Sequence, residues 1–270
     1  MDKVINHDWM KELSAFDKQS APQKQENDSK IEWLNVNKAY KKNISFKVMP
    51  ANSKENGIFA FVVGTHWNLG PDNMRFVCPE QTLHLRHNEV KCPICEAKRR
   101  LKAMGFTDEE LSTEGKFGPI SVFDPKITSN IKVVALESDM QTFDKKHISI
   151  LQQNGSYTAR WLAEKYNSPD VPNFLALEES NPIKFSRDRD NGKWEREFSF
   201  ITCKFDEVAL QTLKEENEAL TMQDLWKMPS DEEILKANEI AEKMVNSYIE
   251  SKKQVEEAAS DTYNGDHMPF

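Results

Sequence analysis

The chain has 270 residues, of which 38% are hydrophobic and 30% charged, and its mean hydropathy is -0.70. Such polarity suits a soluble protein with part of its length outside any packed core, and no apolar run approaches the roughly 20 residues that a membrane-spanning helix needs. The opening Met1-Asp2-Lys3-Val4-Ile5-Asn6 lacks the basic-then-apolar pattern of a signal peptide, so a cytoplasmic setting is expected. The net charge of -8 is unevenly distributed. Residues 1–29 hold 4 basic and 6 acidic side chains, residues 30–204 hold 26 and 22, and residues 205–270 hold 6 and 16. A middle at +4 therefore precedes an end at -10, a polarity that the whole-chain pI of 5.4 hides.

In chain order, residues 1–30 read as a flexible arm, with Trp9, Met10, Leu13 and Phe16 able to form one face of a short helix. Strand character begins near Ile31. Asn43 to Met49 alternates apolar and polar residues, Ile58 to Gly64 is a more buried strand, and Arg75 to Cys78 follows the Gly70-Pro71-Asp72-Asn73 turn. Pro119 to Phe123 and Ile131 to Leu136 continue the pattern. Ile183 to Arg187 and Trp194 to Phe200 flank Asp190-Asn191-Gly192, a hairpin turn signal. Glu96 to Met104, ended by Gly105, and Thr158 to Tyr166 read as helices. Short strands with intervening helices predict a mainly β protein built on a small, partly open OB-fold-like barrel. The expected organisation is an arm (1–30), a barrel core (31–205) carrying an inserted zinc subdomain (about 64–106), and an acidic, partly helical C-terminal region (206–270). In that last region Ser230-Asp231-Glu232-Glu233 is a capping box. Ile234, Ala237, Ala241, Met244 and Tyr248 then share one stripe of a helix, facing either its own core or a partner.

Cys92-Pro93-Ile94-Cys95 is a metal knuckle: two thiolates separated by two residues reach one ion while the turn's amides soften their charge. Cys78, in a second Cys-Pro pair, supplies a third thiolate. Redox use of the C-x-x-C would favour a thioredoxin-like setting, which the local sequence does not resemble. The fourth ligand is His66, His84 or His87. His66 follows the apolar strand, where pairing brings it beside Cys78, whereas His84 and His87 sit in the loop between Cys78 and Cys92. Three thiolates and one imidazole close a tetrahedral zinc shell and leave no place for water, so the metal is expected to be structural. Cys203, in a strand, reads as a core thiol.

Aromatic and basic residues interleave as stacking and phosphate-binding surfaces require. Tyr40, Lys41 and Lys42 lead into Phe46 and Lys47; Trp67 follows His66; Arg75 precedes Phe76. Lys98, Arg99 and Lys102 decorate the helix leaving the knuckle, and Lys184 and Arg187 face Lys193, Trp194 and Arg196 across the hairpin. Phe46, Phe61, Phe198 and Phe200, at period-2 positions, read as core instead. There is no P-loop, G-x-G-x-x-G, G-x-S-x-G or H-E-x-x-H, so a binding protein is expected rather than an enzyme. Two rivals stand beside it: a zinc-ribbon adaptor of a replication or transcription complex, and a nuclease using His84 and His87.

The order of parts, His66 at a strand end, then Cys78, then Cys92-Pro93-Ile94-Cys95 opening a helix, resembles the zinc-containing single-stranded DNA-binding proteins of tailed phages, the T-even-type helix-destabilising family. The likeness runs from about Trp33 to Phe205 and extends to Ser121-Val122-Phe123-Asp124-Pro125. It implies zinc held by His66, Cys78, Cys92 and Cys95 in a subdomain inserted in an OB-fold. It also implies a single-stranded DNA cleft lined by aromatic and basic residues, and an acidic C-terminal region that contacts replication and recombination proteins. The setting it implies is phage DNA replication, recombination and repair in the cytoplasm of a bacterial host. Met1 to Lys18 lacks the short basic run that the best-known member of that family has for cooperative binding. The end, Asp266-His267-Met268-Pro269-Phe270, is similar to the Pro-Phe docking tip of bacterial single-stranded DNA-binding proteins.

Overall fold

The computed structural model describes residues 31–35, 43–111, 123–139, 142–143, 146–178, 182–187, 194–198 and 205–263. Its strands are β1 (Glu32–Asn35), β2 (Asn43–Val48), β3 (Ala60–Leu69), β4 (Met74–Val77), β5 (Lys126–Ser138), β6 (Ser149–Asn154), β7 (Ile183–Arg187) and β8 (Trp194–Phe198). Its helices are α1 (Pro93–Ala103), α2 (Tyr157–Asn167), α3 (Glu207–Ala219), α4 (Met222–Leu225) and α5 (Asp231–Tyr263). The chain divides into two compact units, the first of Met1–Val63 with Lys126–Lys227, the second of Gly64–Pro125 with Met228–Phe270. The class is mixed α/β, with a large, mostly antiparallel sheet that does not close.

In the first unit the strand order is β1-β6-β5-β2-β7-β8, and β3 also pairs with β5. β1 and β6 are parallel, while β6–β5, β5–β2, β2–β7 and β7–β8 are antiparallel. β5 runs well beyond the apolar stretch Ile131 to Leu136. Its residues Thr128 to Val133 pair with β6, and Val133 to Ser138 pair with β2. One side of this sheet carries Phe46 and Phe185, whose rings meet edge to face at 4.8 Å. The other carries Val134 and Leu136, packed with Met49, Ile148, Leu177 and Leu213 of α3.

That second layer corrects the simple reading of β2. Alternation predicts a strand with one wet face, yet Ser45 and Lys47 are buried along with Ile44, Phe46 and Val48. Lys47 stands opposite Val134 in the ladder, so both side chains leave the sheet on the side that the Leu213 cluster covers. α3 and α4 are seated there by a buried polar cluster. The Lys132 ammonium lies 2.7 Å from Glu55, and both side chains are fully buried. Glu55 also accepts from the Asn52 and Met222 amides, and Asn52 donates to the carbonyls of Asn217 and Leu220 at the end of α3. Burial holds the Lys132 ammonium below the ordinary lysine range, against the pull of Glu55.

The second unit packs Leu69, Phe76, Ile94, Ala97, Leu101, Phe106 and Phe123 around Ala237, Ile240, Ala241, Val245 and Tyr248 of α5. The stripe read on this helix therefore faces its own core, with Ile234 and Met244 partly buried at its margin. The capping box forms as written: the Glu233 amide donates to the Ser230 hydroxyl at 3.2 Å, and the Ser230 amide donates to the Glu233 carboxylate at 2.8 Å.

Candidate metal centre and nucleic-acid surface

β3 and β4 bring the first ligand into place. His66 pairs with Phe76, and the ladder then slips before Leu69 pairs with Met74. Asn68, at φ 56°, supplies the left-handed residue of this bulge. The extra residue lets His66 and Leu69, three positions apart, both turn inward, which a regular strand forbids. The Cys78 amide then donates to the Gly64 carbonyl at 2.8 Å, closing the strand pair just past β4. Cys92 caps α1, with Pro93 in its first turn, and donates its amide to Glu80 at 2.8 Å. Arg99, one face further along α1, holds the same carboxylate with both terminal nitrogens, at 2.8 and 2.9 Å.

The result is a cluster of His66, Cys78, Cys92 and Cys95 whose ligand atoms all lie within 4.8 Å of one another. The Cys92 sulfur is 3.2 Å from His66 Nε2, the Cys95 sulfur 3.6 Å from the same nitrogen, and the Cys78 and Cys95 sulfurs are 3.6 Å apart. Zinc bonds of about 2.3 Å to sulfur and 2.0–2.1 Å to nitrogen give tetrahedral edges of about 3.5–3.8 Å. The cluster fits one ion of that kind, and of the three candidate histidines it is His66 that joins the cysteines. Among the described residues, His84 and His87 belong to no such group.

The charge state of these thiols depends on whether an ion is bound. Burial, then hydrogen bonds from Cys92 and Cys95, push the Cys78 thiol far up. The bond to Cys78 pulls Cys95 down, but the bond to Cys92, burial and nearby negative charge carry it above the ordinary thiol range. Cys92, bonded by Cys78 and Cys95 and facing His66, comes down. Without an ion, the three thiolates would not coexist in so small a buried space; a divalent cation removes that conflict.

The basic residues chosen from sequence have diverse surroundings. On α1, Lys98 binds Asp124 at 2.6 Å, Lys102 binds Asp108 at 2.6 Å, and Arg99 binds Glu80 and Glu96. Arg100 pairs with Glu242 of α5. The charged face of α1 is thus matched within its own unit. In the same unit the Arg75 guanidinium lies 5.1 Å from the centre of the Trp67 ring, and burial lowers its pKa to about 10. In the first unit Lys47 is buried, Lys184 pairs with Glu197 at 3.2 Å, and Arg187 is exposed. The Arg196 guanidinium lies 4.5 Å from the Tyr157 ring centre and 5.3 Å from that of Phe185, and donates to the Thr158 hydroxyl at 3.2 Å. Tyr40, Lys41, Lys42, Lys193, Cys203, the side chain of Trp194, the segment Pro119 to Val122 and the Met-Pro-Phe end lie outside the described residues.

Glu80 and Tyr157 stand outside the residues that the sequence singles out. Glu80 ties Cys92 to Arg99, and no pattern in Cys-Pro-Glu marks it for that role. Tyr157 opens α2 after Gly155-Ser156, a position where an aromatic has no turn to pack under, and that signal was available. No protein-family model and no curated protein matches the chain.

Proposed function

We propose that the protein binds single-stranded nucleic acid, DNA in the first place, with little regard to sequence. The observation that carries this reading is the four-ligand His/Cys cluster in the segment Gly64–Pro125, which runs from the second half of β3 to the start of β5 in an open, mostly antiparallel sheet. Its donor set, one imidazole and three thiolates, suits zinc, and a shell with four protein ligands organises backbone rather than activating water. β5, which serves one neighbour with its first half and another with its second, is the kind of strand that a coiled, OB-like barrel uses. Together with the resemblance to the phage helix-destabilising proteins, these features favour a protein that coats and protects single strands during replication, recombination and repair. In that role it works without catalysis, in the cytoplasm of a bacterial host. Its acidic C-terminal region would be the contact for replication and recombination partners.

Binding of this kind rests on base stacking and on counterion release by lysine and arginine, so affinity falls steeply with salt. The pairing of α1's cations with carboxylates of their own unit supports a second reading, an adaptor of a replication or transcription complex that touches nucleic acid incidentally. Labelled oligo-dT and a duplex of equal length, titrated with magnesium present, separate the two. Salt-sensitive binding of oligo-dT without cleavage supports strand binding. No binding favours the adaptor, and cleavage favours a nuclease.

A further inference from the structure

Among the residues whose side chains are described, Tyr157 is the one Phe, Tyr or Trp ring that stands more than about a third exposed, at 53%. Among the described residues, other rings of the first unit meet one another. Phe59, Tyr166 and Phe174 pack on one another, Phe46 meets Phe185, and Trp33 meets Trp226. Leaving a tyrosine ring in water forgoes the burial that stabilises those others, so its position asks for an occupant.

Its surroundings say what kind. Arg196 lies 4.5 Å and Arg160 5.8 Å from the Tyr157 ring centre. Arg196 is also anchored below the surface, against the buried Phe185 ring and on the Thr158 hydroxyl. The start of α2 is itself pinned to β5. The Gly155 amide donates to the Ile127 carbonyl at 2.7 Å, and the Ser129 hydroxyl donates to the Gly155 carbonyl at 2.6 Å. A ring at the pinned start of α2, with the Arg196 guanidinium over it and that of Arg160 nearby, presents a π–cation surface on which a planar ring can stack and a positive potential for the phosphates that flank it.

We propose that Tyr157, with Arg196 and Arg160, is a stacking platform for an unpaired nucleobase. On this assignment the strand is gripped on the strand-rich unit. This assignment rests on the single-strand reading above and deepens it.

The test compares oligo-dT with an abasic phosphodiester of the same length, for wild type, Tyr157→Ala and Tyr157→Phe. An exposed ring can be removed without harming the fold, which circular dichroism checks. Tyr157→Ala is expected to weaken oligo-dT binding by about tenfold or more, to leave abasic binding unchanged, and to leave the salt dependence unchanged; Tyr157→Phe stays near wild type. A 5-bromodeoxyuridine oligonucleotide should photocrosslink to the peptide that contains Tyr157. If wild type binds oligo-dT but Tyr157→Ala binds it equally well, or the crosslink maps to α1, the platform is overturned while the strand-binding reading survives. If wild type binds neither oligonucleotide, that reading falls and the platform with it.

Discussion

A Cβ on Gly64 would stand 2.6 Å from the Cβ of Gln81 and 2.8 Å from its carbonyl oxygen. The two backbones touch here because the Thr82 hydroxyl bonds both the amide and the carbonyl of Gly64, at 3.1 and 3.2 Å. Two residues beyond Gly64 lies His66, and three residues before Gln81 lies Cys78. Any side chain at 64 therefore has to push the strand that bears His66 from the turn that follows Cys78. Gly64→Ala is expected to cost about 1–3 kcal/mol, the usual range for overpacking, and to weaken zinc retention against a competing chelator. An unchanged melting temperature together with unchanged metal affinity would show that the contact relaxes freely.

Purified protein is expected to hold one zinc per chain, and its removal should unfold the second unit. Zinc binding in small Cys/His folds is worth about 10–16 kcal/mol at pH 7, whereas a whole domain is stable by about 5–15 kcal/mol. Cys78 and Cys92 belong to the same apolar cluster as Ala237 and Val245, so α5 should loosen with the site. Chelation should expose the thiols of Cys78, Cys92 and Cys95 to a thiol reagent, and make α5 cleavable by protease. The sign with pH follows from the thiols. Cys78 and Cys95 are shifted upward in the metal-free site, so protons compete well for them and zinc is released as pH falls. Metal-free protein with a protected α5 would count against a structural role for the ion.

Glu55 and Lys132 should not be interchangeable losses. Lys132→Met strands a buried carboxylate, at about 3–5 kcal/mol. Glu55→Leu strands the ammonium and also the Asn52 and Met222 amides, each worth about 1–3 kcal/mol when left without an acceptor. The double variant Lys132→Met/Glu55→Gln, which keeps an acceptor for one amide and removes the unpaired charge, should recover part of either loss. Urea denaturation orders the three; Glu55→Leu proving the mildest would refute the account.

Much of this was readable beforehand, for physical reasons that differ by element. The knuckle and its helix were plain because ligand spacing and a helix N-terminus are local. The stripe and capping box of α5 were equally local, whereas which core the stripe met was not. β7 was bounded correctly because its turn and alternation sit side by side. β6, Ser149–Asn154, was missed: Ser-Ile-Leu-Gln-Gln-Asn alternates poorly, and its place depends on pairing with β5. Lys47 looked like a surface cation because the helix that buries it lies more than 150 residues further along the chain. The carboxylates that pair with the basic run of α1, Asp124 and Glu242, are likewise remote in sequence. Local chemistry is written in the sequence; long-range neutralisation and covering are not.

The last expectation concerns those α1 pairs. Lys102 and Arg100 are 43% and 41% exposed, and exposed pairs contribute little, so Lys102→Gln and Arg100→Gln should each move the melting temperature by less than about 3 °C. The hydrogen bond from Lys102 holds the Asp108 carboxyl below its ordinary range, and that from Arg100 does the same for Glu242. A carboxyl depressed in the folded state contributes above its ordinary pKa and loses the contribution as pH falls through the lower, folded one. The small gap between wild type and Lys102→Gln should therefore be present at neutral pH and close in acid. Arg99→Gln should behave otherwise, because Arg99 orients the Glu80 carboxylate that receives the Cys92 amide, and its loss should also weaken zinc retention. Oligo-dT titrations complete the comparison. If Lys102→Gln lowers affinity and flattens the salt dependence as a lost phosphate contact would, α1 contacts the strand after all, and the assignment of Tyr157 as the gripping point is incomplete.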